Sequence, residues 1–148
     1  MKNAKDIGSQ IKPKYVGGGT ATAAGTGDNT AVNGADLGRV GYQSAVLVIA
    51  YTATLTEDKT LSFAISHEDS PDGSTRSTAV VDQAATVAAT GPAGGGTVTG
   101  IVEVDADLSG ANAYRRYIIT PDLNASSTDT CAWRAVWILG GADVVPAV

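Results

Sequence analysis

Cys131, Trp133, Ala135, Trp137 and Leu139 alternate without a break with Ala132, Arg134, Val136 and Ile138. A period of two places the first set on one face of a β-strand and the second on the other. The two indoles then share a face, and they are the expected main anchors of the core. The same period recurs where Leu61, Phe63, Ile65 and His67 alternate with Ser62, Ala64, Ser66 and Glu68. It recurs again where Val98, Gly100, Val102 and Val104 alternate with Thr99, Ile101, Glu103 and Asp105. Ser44 to Thr54 carries no polar side chain other than hydroxyls, the pattern of a strand buried on both faces. A further strand is expected over Ala113–Thr120, with Tyr114, Arg116 and Ile118 on one face, Arg115, Tyr117 and Ile119 on the other, and Pro121 as its stop. Turn chemistry punctuates these runs. Asp69-Ser70-Pro71-Asp72-Gly73-Ser74 closes a hairpin whose returning strand is expected over Arg76–Val87. Six or more strands and no convincing helical segment specify an all-β fold, an antiparallel β-sandwich of jelly-roll type.

Composition agrees with that class. Ala (24), Gly (18), Thr (17) and Val (15) supply half of the 148 residues, a bias unlike the Leu, Glu, Lys and Arg of a helix bundle. The chain has the length of one domain. Residues 1–38 lack periodicity and contain Gly17-Gly18-Gly19 and a Gly/Ala/Thr-rich run to Asn29, so they read as an extended N-terminal arm and linker with a short strand near Ala31-Val32. The β-sandwich body is expected over 39–148.

The net charge of −5 is unevenly distributed. Lys2, Lys5, Lys12 and Lys14 against Asp6 give +3 in the first 14 residues, which leaves −8 for the remainder. An acidic body repels phosphate backbones, so nucleic acid is not an expected partner. The basic arm reads either as a solvated terminus or as a tether that orders on an acidic partner surface. The longest apolar run, Ala45 to Tyr51, falls far short of the roughly 20 residues that span a bilayer. No membrane association is expected, and the charged start followed by no apolar stretch reads as lacking a secretory signal.

Candidate chemistry is sparse. One His and one Cys, His67 and Cys131, cannot assemble a zinc site that draws about four ligands mainly from those residue types. A lone Cys forms no internal disulfide, and Cys131 beside Trp133 reads as a small buried hydrophobe. His67 next to Glu68 suggests an acid–base pair, but no accompanying nucleophile or second His turns it into a catalytic constellation. Asp69–Gly73 resembles a fragment of a calcium loop yet lacks the further spaced acids, and turn chemistry explains it. Glu103, Asp105 and Asp107 share one face, as a solvated strand face does. Gly94-Gly95-Gly96 matches no phosphate loop. Arg115 and Arg116, beside Tyr114 and Tyr117, read as structural ion pairs or as interface residues. The expectation is therefore a protein without catalytic residues, cofactor or metal, whose candidate partner-binding residues are Lys2, Lys5, Lys12, Lys14, Tyr15, Arg115 and Arg116.

Several stretches carry a family resemblance. Arg39-Val40-Gly41-Tyr42-Gln43-Ser44-Ala45 leads into an apolar strand, and a later strand ends in Glu68-Asp69-Ser70-Pro71-Asp72-Gly73-Ser74. Tyr114-Arg115-Arg116-Tyr117-Ile118 and a last strand closing on Leu139-Gly140-Gly141 follow. Over about residues 31–141 this order resembles small structural proteins of tailed-bacteriophage head gene clusters, which decorate or cement the capsid. The resemblance implies a β-sandwich on the capsid exterior of the virion, made in the host cytoplasm. It also implies a terminal arm on the major capsid protein or a neighbour, and copies clustered as dimers or trimers at symmetry axes. Readings from other classes are a carbohydrate-binding β-sandwich or head fibre, which needs exposed Trp133 and Trp137, and a phage tail component. A hydrolase using His67 with Glu68 is the least supported.

Overall fold

The alternating residues become strands whose apolar faces meet. The computed structural model describes residues 10–125 and 128–142. Its strands are β1 (Lys12–Thr22), β2 (Val32–Asn33), β3 (Leu37–Gly38), β4 (Tyr42–Leu55), β5 (Thr60–Ser70), β6 (Val80–Thr90), β7 (Gly96–Asp107), β8 (Tyr114–Leu123) and β9 (Thr130–Ala142). A front sheet has the order β1-β9-β4-β7, and a back sheet has the order β2-β8-β5-β6 with β3 also pairing β8. All pairings are antiparallel. Counting β2 and β3 as one interrupted strand, the chain crosses between sheets at every connection except the β5–β6 hairpin. That is the connectivity of a jelly-roll sandwich.

The core lies between the inner faces. Leu47 and Ile49 of β4, Leu61, Phe63 and Ile65 of β5, and Trp137 and Leu139 of β9 are fully buried. Trp133 meets Phe63 edge-on at 6.4 Å between ring centroids, and Trp137 meets Tyr117 at 5.7 Å. Burying an indole removes about 150–250 Å² from water, about 4–6 kcal/mol as an upper bound. The two tryptophans are thus the main core anchors, as the alternation requires, and neither offers the exposed platform that a glycan site on them needs. The core extends into the loops. The buried Asp129 carboxylate accepts hydrogen bonds from the Thr56 amide at 3.0 Å and its hydroxyl at 2.6 Å, tying the β4–β5 turn to the start of β9.

Three expectations change. First, the assignment of residues 1–38 to an arm and linker fails from Lys12 onward, because β1 pairs along its length with β9. Glycine is used there for close approach. A Cβ on Gly18 would sit 2.5 Å from Arg134 Cδ and 2.6 Å from the Trp133 carbonyl, and one on Gly19 would press on the Trp133 indole. A bulge between Tyr15 and Gly17 turns Val16 into the core. Backbone pairing to β9 replaces the side-chain burial that the sequence lacks. The following loop is also ordered: Asp28 accepts hydrogen bonds from the Ala24 and Leu123 amides. Lys2 and Lys5 lie outside the described residues. Second, β4 is buried on one face only: Val46 and Val48 are half-buried, and Ala50, Thr52 and Thr54 are exposed. Third, β8 runs through Pro121 to Leu123, and the returning hairpin strand is Val80–Thr90. The Pro121 carbonyl accepts from the Asn29 amide. A strand residue turns its N and O to the same side, so the missing N–H of Pro121 faces that loop and removes no bond from the β5 ladder.

Candidate partner-binding surface

The candidate residues fall in two places. Arg115 and Arg116 stand at the start of β8, beside the end of β5, and alternation sends them to opposite sides. Arg115 turns inward and is buried, with Nε donating to Asp69 Oδ1 at 2.7 Å and an η-nitrogen to Asp69 Oδ2 at 3.0 Å. His67 lies beside this pair, its Nδ1 on Asp82 at 2.7 Å and its Nε2 4.0 Å from Asp69. The Tyr117 hydroxyl is buried here, and burial pushes its pKa up to about 12 against the opposing pull of Arg115. On the outer side, Arg116 donates to Glu68 at 2.5 Å, and Arg76, from the β5–β6 turn, bridges Glu68 and Asp36. Both arginines are therefore structural ion-pair residues. Arg115 cannot reach a partner, because it is spent inside the sandwich, and Arg116 is held by Glu68. The sequence signal missed Arg76 and Asp36, which are far apart in the chain and meet only through the fold.

His67 and Glu68 face opposite sides of β5 and do not form a pair. The Asp72 carboxylate accepts hydrogen bonds from the Ser74 and Thr75 amides, which hold its pKa far below the usual carboxylate range. Those bonds are the turn chemistry expected of the Asp69–Gly73 segment. Cys131 is buried, and burial pushes its thiol up to about 11. Among the described residues, no cluster of three or more His, Cys, Asp or Glu side chains is arranged to hold a metal ion, and no helix is long and apolar enough to cross a membrane.

Lys12, Lys14 and Tyr15 lie on β1, the edge strand of the front sheet. The Lys14 ammonium donates to the Gly38 carbonyl of β3 and so bridges the two sheets, and burial lowers its pKa. Tyr15 is 59% exposed on the outer face of the front sheet. Its cross-strand row there is Tyr15, Val136, Val48 and Glu103, and the next row is Pro13, Ile138, Val46 and Asp105. Along β9 and β4 the single outward charge is Arg134. Ile11, Ser44, Val46, Ile138, Asp105 and Asp107 line an open depression of about 500 Å³ at one end of this face. Val46, Val48, Val136 and Ile138 were absent from the sequence candidates. Their signal was the lack of charge on Ser44–Thr54, which the sequence reading spent on burial within the domain.

No family model matches the sequence, and neither does any curated protein. Solved structures do share the fold. The chain is similar to one in the structure of infectious bursal disease virus Gx strain, with a TM-score of 0.56 and 6% identity, covering 94% of this chain and 35% of that one. It is also similar to a mutant VP2 protein of infectious bursal disease virus from derived T=1 particles, with a TM-score of 0.53 and 6% identity, covering 90% and 32%. The chain spans about a third of the length of those viral chains, and the likeness is one of fold.

Proposed function

We propose that this protein is a virion structural protein that binds the outer surface of an assembled phage capsid and stabilises it. The observation that carries the reading is the jelly-roll sandwich, which matches chains of a virus particle over nearly the whole of this chain. That support is an analogy of fold. The order of short motifs from Arg39 to Gly141 adds a second, independent support. The surface suits the role: a broad sheet face of low charge gives a docking area, and many weak attachments on a symmetric lattice multiply a modest affinity per copy. In this reading the partners are the major capsid protein and further copies of this chain, and the protein resides on the capsid exterior after synthesis in the host cytoplasm.

The test compares particles assembled with and without the protein. Shells carrying it should survive heating and dilution that release the contents of bare shells, and a density map should place it outside the shell. Equal resistance of the two preparations overturns the stabilising role. Absence of its density from the particle surface overturns the whole reading.

A further inference from the structure

We infer that the N-terminal segment preceding β1 lies back across one end of the outer face of the front sheet, with Ile7 in the depression there and Lys5 on Asp105 and Asp107. Two cross-strand rows build the receiving surface. Pro13, Ile138, Val46 and Asp105 share one row, and Gly140, Ser44 and Asp107 share the next. Ile138 and Val46 form an apolar wall, and Gly140 and Ser44 leave a low floor beside it, in the depression of about 500 Å³. A solvent-facing sheet side is normally polar, so an apolar hollow on one marks an interaction site. Asp105, on its far bank, makes no ion pair or hydrogen bond among the described residues, and Asp107 accepts from the Ser109 amide of its own turn.

Chain path and charge identify the occupant. Ile11, the residue before β1, itself lines the depression, and Gln10 stands in a turn. The residues before Gln10 are therefore delivered to the rim of the hollow, and Gly8-Ser9 supplies residue types that let a chain reverse. Crossing from β1 to β7 means passing three strand spacings, about 14 Å. Lys5 is six residues before Ile11, a reach of about 20 Å when extended, so it arrives at β7 even after the turn has used part of that length. Ile7 then lies midway, over β9 and β4. An extended segment alternates its side chains, so with Ile7 turned to the sheet Lys5 is turned to it also, whereas Asp6, Ala4 and Lys2 point to solvent. Asp6, the one acid of the segment, is thereby kept off the acids of β7. The next lysines along the chain cannot serve, because Lys12 and Lys14 share rows with the buried Leu139 and Trp137 and so face inward.

The contact belongs to the isolated chain, so it can fail while the virion reading stands, and the reverse also holds. Carbodiimide coupling of the whole protein at low micromolar concentration, followed by peptide mass spectrometry, tests it, because the reagent joins an amine to a carboxylate only where the two touch. Lys5 should be joined to Asp105 or Asp107. In an equal mixture of isotope-labelled and unlabelled protein, each joined pair should carry a single label state. Ile7→Ser should lower the yield about tenfold. Gly140→Leu should do the same by filling the floor of the depression, and the sheet accepts it, since a Cβ there meets Ser44 Oγ at an ordinary 3.5 Å. Lys2→Ala, on the solvent side, should leave the yield unchanged. The near-ultraviolet circular dichroism of Trp133 and Trp137 serves as the control for folding. Lys5 joined indiscriminately to Asp36, Glu57 and the acids of β7, or to none of them, overturns the inference. So does a yield indifferent to both Ile7→Ser and Gly140→Leu, or one that falls as far in Lys2→Ala. Pairs of mixed label also overturn it and would assign the face to the segment of a second copy.

Discussion

Arg115→Met tests the inward arginine most directly. The guanidinium is 6% and the Asp69 carboxylate 16% exposed, and two hydrogen bonds of 2.7 and 3.0 Å join them. Removing one partner of a buried pair costs about 3–5 kcal/mol, mainly because the other charge stays buried without compensation. Asp69 keeps some access to water, which favours the lower end, about 3 kcal/mol. For a domain of this size that lowers the melting temperature by about 6–12 °C. Asp69→Leu in the same chain removes the orphaned carboxylate. The double variant should fall within about 1 kcal/mol of wild type, giving a coupling energy of about 2 kcal/mol or more. Urea unfolding followed by tryptophan fluorescence measures all three, because both indoles leave the core on unfolding. A loss below about 1 kcal/mol in Arg115→Met, or strictly additive single and double variants, refutes the structural role and returns Arg115 to the surface.

Three further outcomes follow from the same geometry. Burial raises the Cys131 thiol from its ordinary 9.0 to about 11 and the Tyr117 hydroxyl from 10.0 to about 12. Each group then favours the folded state fully below its unfolded pKa and loses that contribution as pH rises through the folded one. Stability should fall from about pH 9 upward, and Cys131→Ala should remove the part lost between about pH 9 and 11, measured by melting temperature against pH. Asp129→Ala removes the buried carboxylate that accepts from the Thr56 amide and hydroxyl and should cost about 1.5–3 kcal/mol in urea unfolding, whereas unchanged stability would mean that Asp129 does not hold the turn. A Cβ on Gly91 would lie 1.9 Å from the Thr56 carbonyl oxygen. Gly91→Ala should therefore cost at least about 1–3 kcal/mol, and a neutral effect would show that this turn moves freely.

The fold class was legible because its signal is local. Alternation along β5, β7 and β9 needs only neighbouring residues, and it placed Phe63, Trp133 and Trp137 on the correct faces. β1 was not legible. Its glycines fit against Trp133 and Arg134, more than a hundred residues away, and a close approach leaves no periodic trace in the strand that makes it. The candidate site divided in the same way. Opposite facing of Arg115 and Arg116 follows from the period of two, but which face is interior depends on β9 supplying Trp137 across the sandwich. The valines of β4 were legible as apolar on both sides. Whether that second side is covered by the chain or by something else is a property of the assembled surface.

The position of β9 between β1 and β4 has a consequence for biosynthesis. Among the described residues every other strand emerges from the ribosome before β9, yet the front sheet has a gap at its centre until that thirteen-residue strand arrives. Until then β1 has no strand to pair with in that sheet, one side of β4 is an open edge, and both indoles are missing from the core. Folding is therefore held back until translation has passed residue 142. It closes through contacts between the two extremities of the described chain, the kind of long-range pairing that makes folding slow. A nascent chain stalled before Thr130 would expose the open β4 edge to other chains, the kind of unpaired edge that invites aggregation during synthesis.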